Sequence, residues 1–225
     1  MVLRQARLTA RLLLATIAVL ALWSLLYLGP DHLLPPRIRG GVAADPMPVW
    51  EAALRFPGNA LLWSLIYENA ARVKRWRRNI VRAGNVFATT WISTMTLVLA
   101  MQVITLATAL GYDIDRGSAF ATVIGVLLLF RANVLPKSRP AWFNGIALPI
   151  FASRSDVWRR VHRASSVRVI GIALICFAVA AFAPAGMDPL QPIMLLLLAE
   201  LVIASAHGLW LGSTTRATEP AASDA

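Results

Sequence analysis

The chain has 225 residues, of which 58% are hydrophobic and only 15% charged, with a mean hydropathy of +0.63. That balance excludes an ordinary soluble domain and points to an all-α polytopic membrane protein. The net charge of +11 would suit nucleic acid, but basic loops held on the side of anionic lipid explain it, and no direct nucleic-acid partner is expected.

Leu12 to Leu28 is the first apolar run, with Arg4, Arg7 and Arg11 directly before it. Bulky Trp23, Tyr27 and Leu28 stand where a cleavage site needs small residues, so a retained signal-anchor is expected instead of a removed signal peptide. The second run, Val49 to Tyr67, is the weakest. Only the 12 residues from Phe56 to Tyr67 lack charge; that is about 18 Å of helix, so Glu51 and Arg55 must snorkel outward. Ala71 to Gly84 then reads as a basic interfacial helix, with Val73, Trp76 and Ile80 recurring among Arg72, Arg75, Arg78 and Arg82, and Gly84 as its C-terminal stop.

Between Arg82 and Asp113, 30 consecutive residues carry no charge, whereas about 20 cross a bilayer core. Ser118 to Val134 is a shorter run in which Arg116 and Arg131 bracket 14 residues. After the loop Asn133 to Arg163 come two further runs, Val169 to Ala185 and Leu190 to Leu211, which complete six spans. Within that loop a second basic interfacial helix is expected: Ser153 and Asp156 have capping-box spacing, and Val157 with Val161 form an apolar strip beside Arg159, Arg160 and Arg163. Residues 1–215 read as one integral membrane domain and 216–225 as a short, disordered cytoplasmic tail.

Lys and Arg accumulate in cytoplasmic loops. Six spans with both ends inside place 18 of the 22 basic residues in the cytoplasm, leaving Arg37, Arg39, Arg55 and Arg116 on the other side. Deleting the second span and turning the N-terminus outward gives the same score of 18 inside, with Arg4, Arg7, Arg11 and Arg116 outside instead. Six is preferred because Arg4, Arg7 and Arg11 abut the first run, whereas Arg37 and Arg39 lie behind Asp31, Pro35 and Pro36. Both readings keep Asn133 to Arg163 and the C-terminus inside.

Cys176 is the sole cysteine and lies within an apolar run, so neither a disulfide framework nor a thiolate metal site is available to one chain. His32, His162 and His207 sit at different levels, and no phosphate loop, paired-His motif or nucleophile elbow is present; no cofactor, metal or catalytic residue is expected. Glu200 is the residue that hydropathy least expects. It lies about 15 Å of helix from Leu190, near the bilayer centre, where a carboxyl must be protonated or paired and turned into the bundle. Candidate partners are His207, two turns on, and the polar stripe Thr89, Ser93, Thr96 with Gln102 further along.

Across the basic loop, Asn133, Pro136, Lys137, Pro140, Trp142, Phe143, Gly145, Ile146, Pro149, Val157, Trp158, His162 and Arg163 stand in the register of a known pattern. On these residues the chain resembles the SdpI family, multispan bacterial membrane proteins named for immunity to a sporulation-delay toxin; the similar region is about 118–212. Ala141, Ala147, Leu148 and Ile150 replace the pattern's Asn, Arg, Thr and Trp, so the retained positions are mainly scaffold. The prolines fix backbone angles, Gly145 allows a tight turn, Trp158 suits the membrane interface, and His162 is either a hydrogen-bonded helix residue or a titrating one. The resemblance implies a non-enzymatic protein of the bacterial cytoplasmic membrane that confers immunity to, or senses, a membrane-active peptide. Its partners would be anionic lipid headgroups, the peptide and a cytoplasmic regulator. The alternative is a small ion-coupled permease centred on Glu200.

Overall fold

The structure, a computed structural model, describes residues 2–34, 38–39, 42–43, 45–82, 84–139, 155–184 and 187–217. In chain order the elements are α1 (Val2–Leu28), β1 (Leu33–Leu34), β2 (Ile38–Arg39), β3 (Val42–Ala43), β4 (Met47–Pro48), α2 (Val49–Arg72), α3 (Lys74–Arg82), α4 (Gly84–Ala109), α5 (Arg116–Val134), a 3-10 turn Leu135–Lys137, α6 (Ser155–Phe182) and α7 (Leu190–Ala217). The short strands form two nested antiparallel ribbons, β1 with β4 and β2 with β3.

Helix ends follow local chemistry. Gly29 and Gly111 take positive φ, 85° and 87°, directly after α1 and after the last turn of α4, conformations that a Cβ would strain. Past Gly29 the chain folds back at once, and the first amides of α2 donate to the connection, Val49 N to His32 O at 2.9 Å and Trp50 N to Pro30 O at 3.1 Å. Asp115 caps α5, accepting from Gly117 N at 3.0 Å and Ser118 N at 3.4 Å. Asp188 does the same for α7, accepting from Leu190 N at 3.0 Å. Both acidic residues thus supply acceptors to amides that have no partner within the helix at its N-terminus.

The helices pack as two groups of three. In the first, α1, α2 and α4 share a core around Ala10, Ile17, Phe56, Ala60, Phe87, Trp91 and Met95. In the second, α5, α6 and α7 enclose Ala121, Ile172, Cys176 and Ile193, with Trp158, Val161, Ala204 and Leu211 toward the start of α6. Contacts of α4 with α5 join the groups. Small residues mark the buried faces and let backbones approach: α1 buries Ala6, Ala10, Ala21 and Ser24, and α2 buries Ala52, Ala60 and Ser64. At the α5–α6 crossing a Cβ on Gly125 would lie 2.8 Å from the Phe177 ring and 3.2 Å from Ala173 O.

Among the described residues five helices are long and apolar enough to cross a membrane: α1, α4, α5 with its 3-10 turn, α6 and α7. Helix α2 has 24 residues. Its ends carry the ion pairs Glu51–Arg55 at 3.0 Å and Glu68–Arg72 at 3.3 Å, and its buried face is mostly alanine, which lowers its hydropathy.

Several expected boundaries move. Val73 is not helical but is the C-cap of α2, its amide donating to Asn69 O, and α3 begins at Lys74. Gly84 does not stop that helix; it is the first residue of α4. Of the expected apolar stripe, Ile80 is fully buried in the first core and Val73 is exposed, as are Val81, Lys74, Arg77 and Arg78. The expected second basic helix is no separate element: Val157 to Arg163 form the first turns of the 28-residue α6. Ser153 lies outside the described residues, and so does the proposed capping pair. Helix α7 continues to Ala217, past the expected tail boundary at 216, and residues 218–225 lie outside the described set.

Candidate functional site

The start of α6 carries a buried stripe at helical spacing, Trp158, His162, Ser165, Val169, Ile172 and Cys176, and its polar members organise the second helix group. Trp158 donates from Nε1 to Ser138 Oγ at 2.9 Å, linking α6 to the residue just past the 3-10 turn. Its ring stacks on the His162 imidazole with centroids 4.2 Å apart, and His162 Nδ1 lies 2.8 Å from Trp158 O. Trp158 is thus walled into protein with 1% exposure, not placed at a lipid interface as its residue type suggested. Tryptophan suits both settings, and here a hydroxyl acceptor across the loop decides. His162 is buried too and follows the hydrogen-bonded reading.

One turn further on, Ser166 donates to Ala132 O at 2.7 Å, fastening α6 to α5. On the α7 side Arg168 embraces Glu200 with two parallel bonds, Nε to Oε2 at 2.6 Å and Nη2 to Oε1 at 3.1 Å. Ser165 Oγ donates to the same Oε1. Glu200 is paired and turned inward, as expected, but by none of the expected partners. Its side chain is 8% exposed and that of Arg168 30%. Arg168 directly precedes the apolar run Val169 to Ala185, so the pair draws Glu200 level with one end of that run. Residues i and i+3 on one helix face are neighbours; Ser165 and Arg168 have that spacing, a signal that counting Arg168 only as a loop charge overlooks.

The other intramembrane polar residues lie apart. Gln102 donates from Nε2 to Ile17 O at 3.0 Å, bridging α4 to α1, while its Oε1 finds no partner among the described residues. His207 stacks beside Trp210 with centroids 6.3 Å apart, and its buried Nδ1 is likewise without a partner among the described residues. Of the loop residues, Asn133, Lys137 and Arg163 are exposed and Pro136 is half-buried. Pro140, Trp142, Phe143, Gly145, Ile146 and Pro149 lie outside the described residues. What the fold does bring together is the two flanks of that loop, through Ser138 and Trp158. Among the described residues no group of His, Cys, Asp and Glu is arranged to hold a metal ion.

A second polar knot, which no charge or hydropathy signal singled out, lies where the two helix groups meet. Arg131 on α5 donates from Nη1 to Thr90 Oγ1 on α4 at 3.3 Å. The Tyr67 hydroxyl on α2 meets Thr94 Oγ1 at 3.3 Å, with its ring stacked on Trp91.

The fold and these two knots define, among the described residues, a helical architecture with five helices long and apolar enough to span a membrane, cross-braced by polar side chains. No family model, no curated protein and no solved structure matches it.

Proposed function

We propose that this chain is a non-enzymatic, multi-pass protein of the bacterial cytoplasmic membrane, similar in kind to SdpI-type proteins, that confers protection against or senses a membrane-active peptide through its basic cytoplasmic loop. The observation that carries the reading is the Ser138–Trp158 hydrogen bond with His162 stacked on Trp158. It joins the described residues that flank the loop, and Trp158 and His162 are among the positions on which the resemblance rests. Cations flank this junction: Lys137 and Arg139 on one side, and Arg159, Arg160 and Arg163 around a groove on the other. Those charges suit anionic headgroups or an acidic face of a cytoplasmic regulator.

Six spans with both termini inside support this reading better than five. Helices α1 and α2 are joined at one end by Val49 N to His32 O and at the other by Arg11 to Glu68 at 3.5 Å. They therefore run side by side for about 26–29 Å, close to the thickness of a bilayer core. The outward face of α2 is Leu54, Leu61, Leu62 and Leu65, all exposed. The permease alternative has less support, because the Glu200 carboxylate already accepts from Arg168 twice and from Ser165.

Expression of the chain in sensitive cells tests the proposal by survival under a panel of membrane-active peptides. Protection that is lost in Trp158→Ala/His162→Ala at unchanged membrane abundance is the expected result. Full protection by that double variant, or no protection by the wild type against any peptide of the panel, counts against it.

A further inference from the structure

We propose that Arg131 is the seat of a phosphate site that takes the headgroup of an anionic phospholipid of the inner leaflet. The inference is independent of whether the chain confers protection; it needs only that the junction of α5 with the basic loop faces the inner leaflet. A guanidinium offers five N–H donors in a planar fork that matches carboxylate or phosphate. Two other arginines that bridge helices, Arg11 and Arg168, each have a carboxylate. Arg131 has none within ion-pair distance among the described residues; its hydrogen bond goes to the neutral hydroxyl of Thr90.

That hydroxyl is already committed. Thr90 Oγ1 donates to Val86 O at 2.9 Å, and Thr94 Oγ1 donates to Thr90 O at 2.9 Å, so neither supplies a counter-charge. The surrounding electrostatics are neutral or positive: the charge of Arg131 acts on the Tyr67 hydroxyl and the His162 imidazole, and Lys137 and Arg139 are exposed a turn or two further on.

A census of the acidic side chains sharpens the point. Glu51 holds Arg55, Glu68 holds Arg11 and Arg72, Glu200 holds Arg168, and Asp115 and Asp188 cap helices. Asp31, Asp45 and Asp113 belong to the connections at the far end of the bundle, and Asp156 lines the groove of Arg159, Arg160 and Arg163. Glu219 and Asp224 fall outside the described residues. A half-buried cation without a carboxylate is costly in a low-dielectric setting, and an external anion offsets that cost.

Two features favour lipid over a soluble anion. Arg131 lies three residues before the end of α5, about 5 Å of helix, which is headgroup depth if the loop is cytoplasmic. The adjoining face of α5 exposes Val126 and Phe130, the latter 60% accessible, a wall for acyl chains.

The test is native mass spectrometry of the detergent-purified full chain with short-chain phosphatidylglycerol, with phosphatidylcholine, and with inorganic phosphate. Expected is retention of phosphatidylglycerol over phosphatidylcholine, about tenfold weaker in Arg131→Gln and only a few-fold weaker in Arg131→Lys, which keeps the charge and loses the fork. Thr90→Val, which frees the guanidinium without removing it, should weaken retention by about threefold or less and serves should the Arg131 variants misfold. Lys137→Gln/Arg139→Gln reports general surface charge and should change retention less than Arg131→Gln. Wild-type retention in Arg131→Gln, equal retention of both lipids, or an equal loss in Lys137→Gln/Arg139→Gln overturns the site. Phosphate binding without a preference for phosphatidylglycerol overturns its assignment to lipid.

Discussion

Replacing Arg168 with leucine strands the Glu200 carboxylate, whose side chain is only 8% exposed, with Ser165 as its remaining donor. Removing one partner of a well-buried pair costs about 3–5 kcal/mol. The opposite change, Glu200→Leu, leaves a guanidinium that is 30% exposed and can swing outward on its stem, so the loss falls to about 2 kcal/mol. Glu200→Gln keeps an acceptor for Ser165 and loses charge assistance, at about 1 kcal/mol. In Arg168→Leu/Glu200→Leu the stranded charge disappears, and stability should return to within about 2 kcal/mol of wild type. The resulting coupling energy is at least about 3 kcal/mol in magnitude, at or beyond the top of the range for contacting residues. Reversible unfolding in mixed detergent micelles, followed by far-ultraviolet circular dichroism, reads all four values. Single effects that add to the double within about 0.5 kcal/mol, or Glu200→Gln as damaging as Glu200→Leu, would refute a buried bidentate brace between α6 and α7.

In the same assay Gly125→Ala should destabilise by about 1–2 kcal/mol, because the new methyl meets the Phe177 ring and Ala173 O, an overpacking cost that exceeds the gain in helix propensity. Gln102→Leu should shift stability by less than about 1 kcal/mol: the bond to Ile17 O is lost, but so is an amide oxygen without a partner among the described residues. Trp158→Phe keeps a ring against His162 and loses the donor to Ser138, so it should cost about 1–2 kcal/mol, against about 3–5 for Trp158→Ala, which empties the buried site.

Hydropathy read the long helices well where apolar residues surround the axis. Helix α4 falls within the uncharged stretch, and α5 ends at Val134 as expected. Helix α2 begins at Val49 as expected and is the weakest of the apolar runs as expected, because it buries Ala52, Ala60 and Ser64, small residues that allow close approach and add little to an apolar sum. The start of α6 misled. Arg159, Arg160 and Arg163 suggested a helix lying on lipid, but the opposite face bears Val157, Trp158 and Val161, which pack with Ala204 and Leu211 of α7. An amphipathic pattern gives the width of the apolar face and says nothing of what covers it. The burial of Glu200 was legible from one charged residue in an apolar run, while its partner was not: Arg168 and Glu200 are 32 residues apart, and only the packing of α6 on α7 joins them. The caps Asp115 and Asp188 lie just outside the expected runs Ser118 to Val134 and Leu190 to Leu211, where hydropathy carries no signal.

The most direct test of the six-span account is cysteine accessibility in a Cys176→Ala background, with Gln5→Cys, Asp45→Cys and Lys137→Cys made one at a time at exposed positions. A membrane-impermeant maleimide is applied to intact spheroplasts and, in parallel, to opened membranes. The account predicts that only Asp45→Cys is labelled from outside, and that all three are labelled once the membranes are opened. Labelling of Gln5→Cys with protection of Asp45→Cys would contradict it in favour of five spans, and labelling of Lys137→Cys from outside would contradict the cytoplasmic placement of the basic loop altogether.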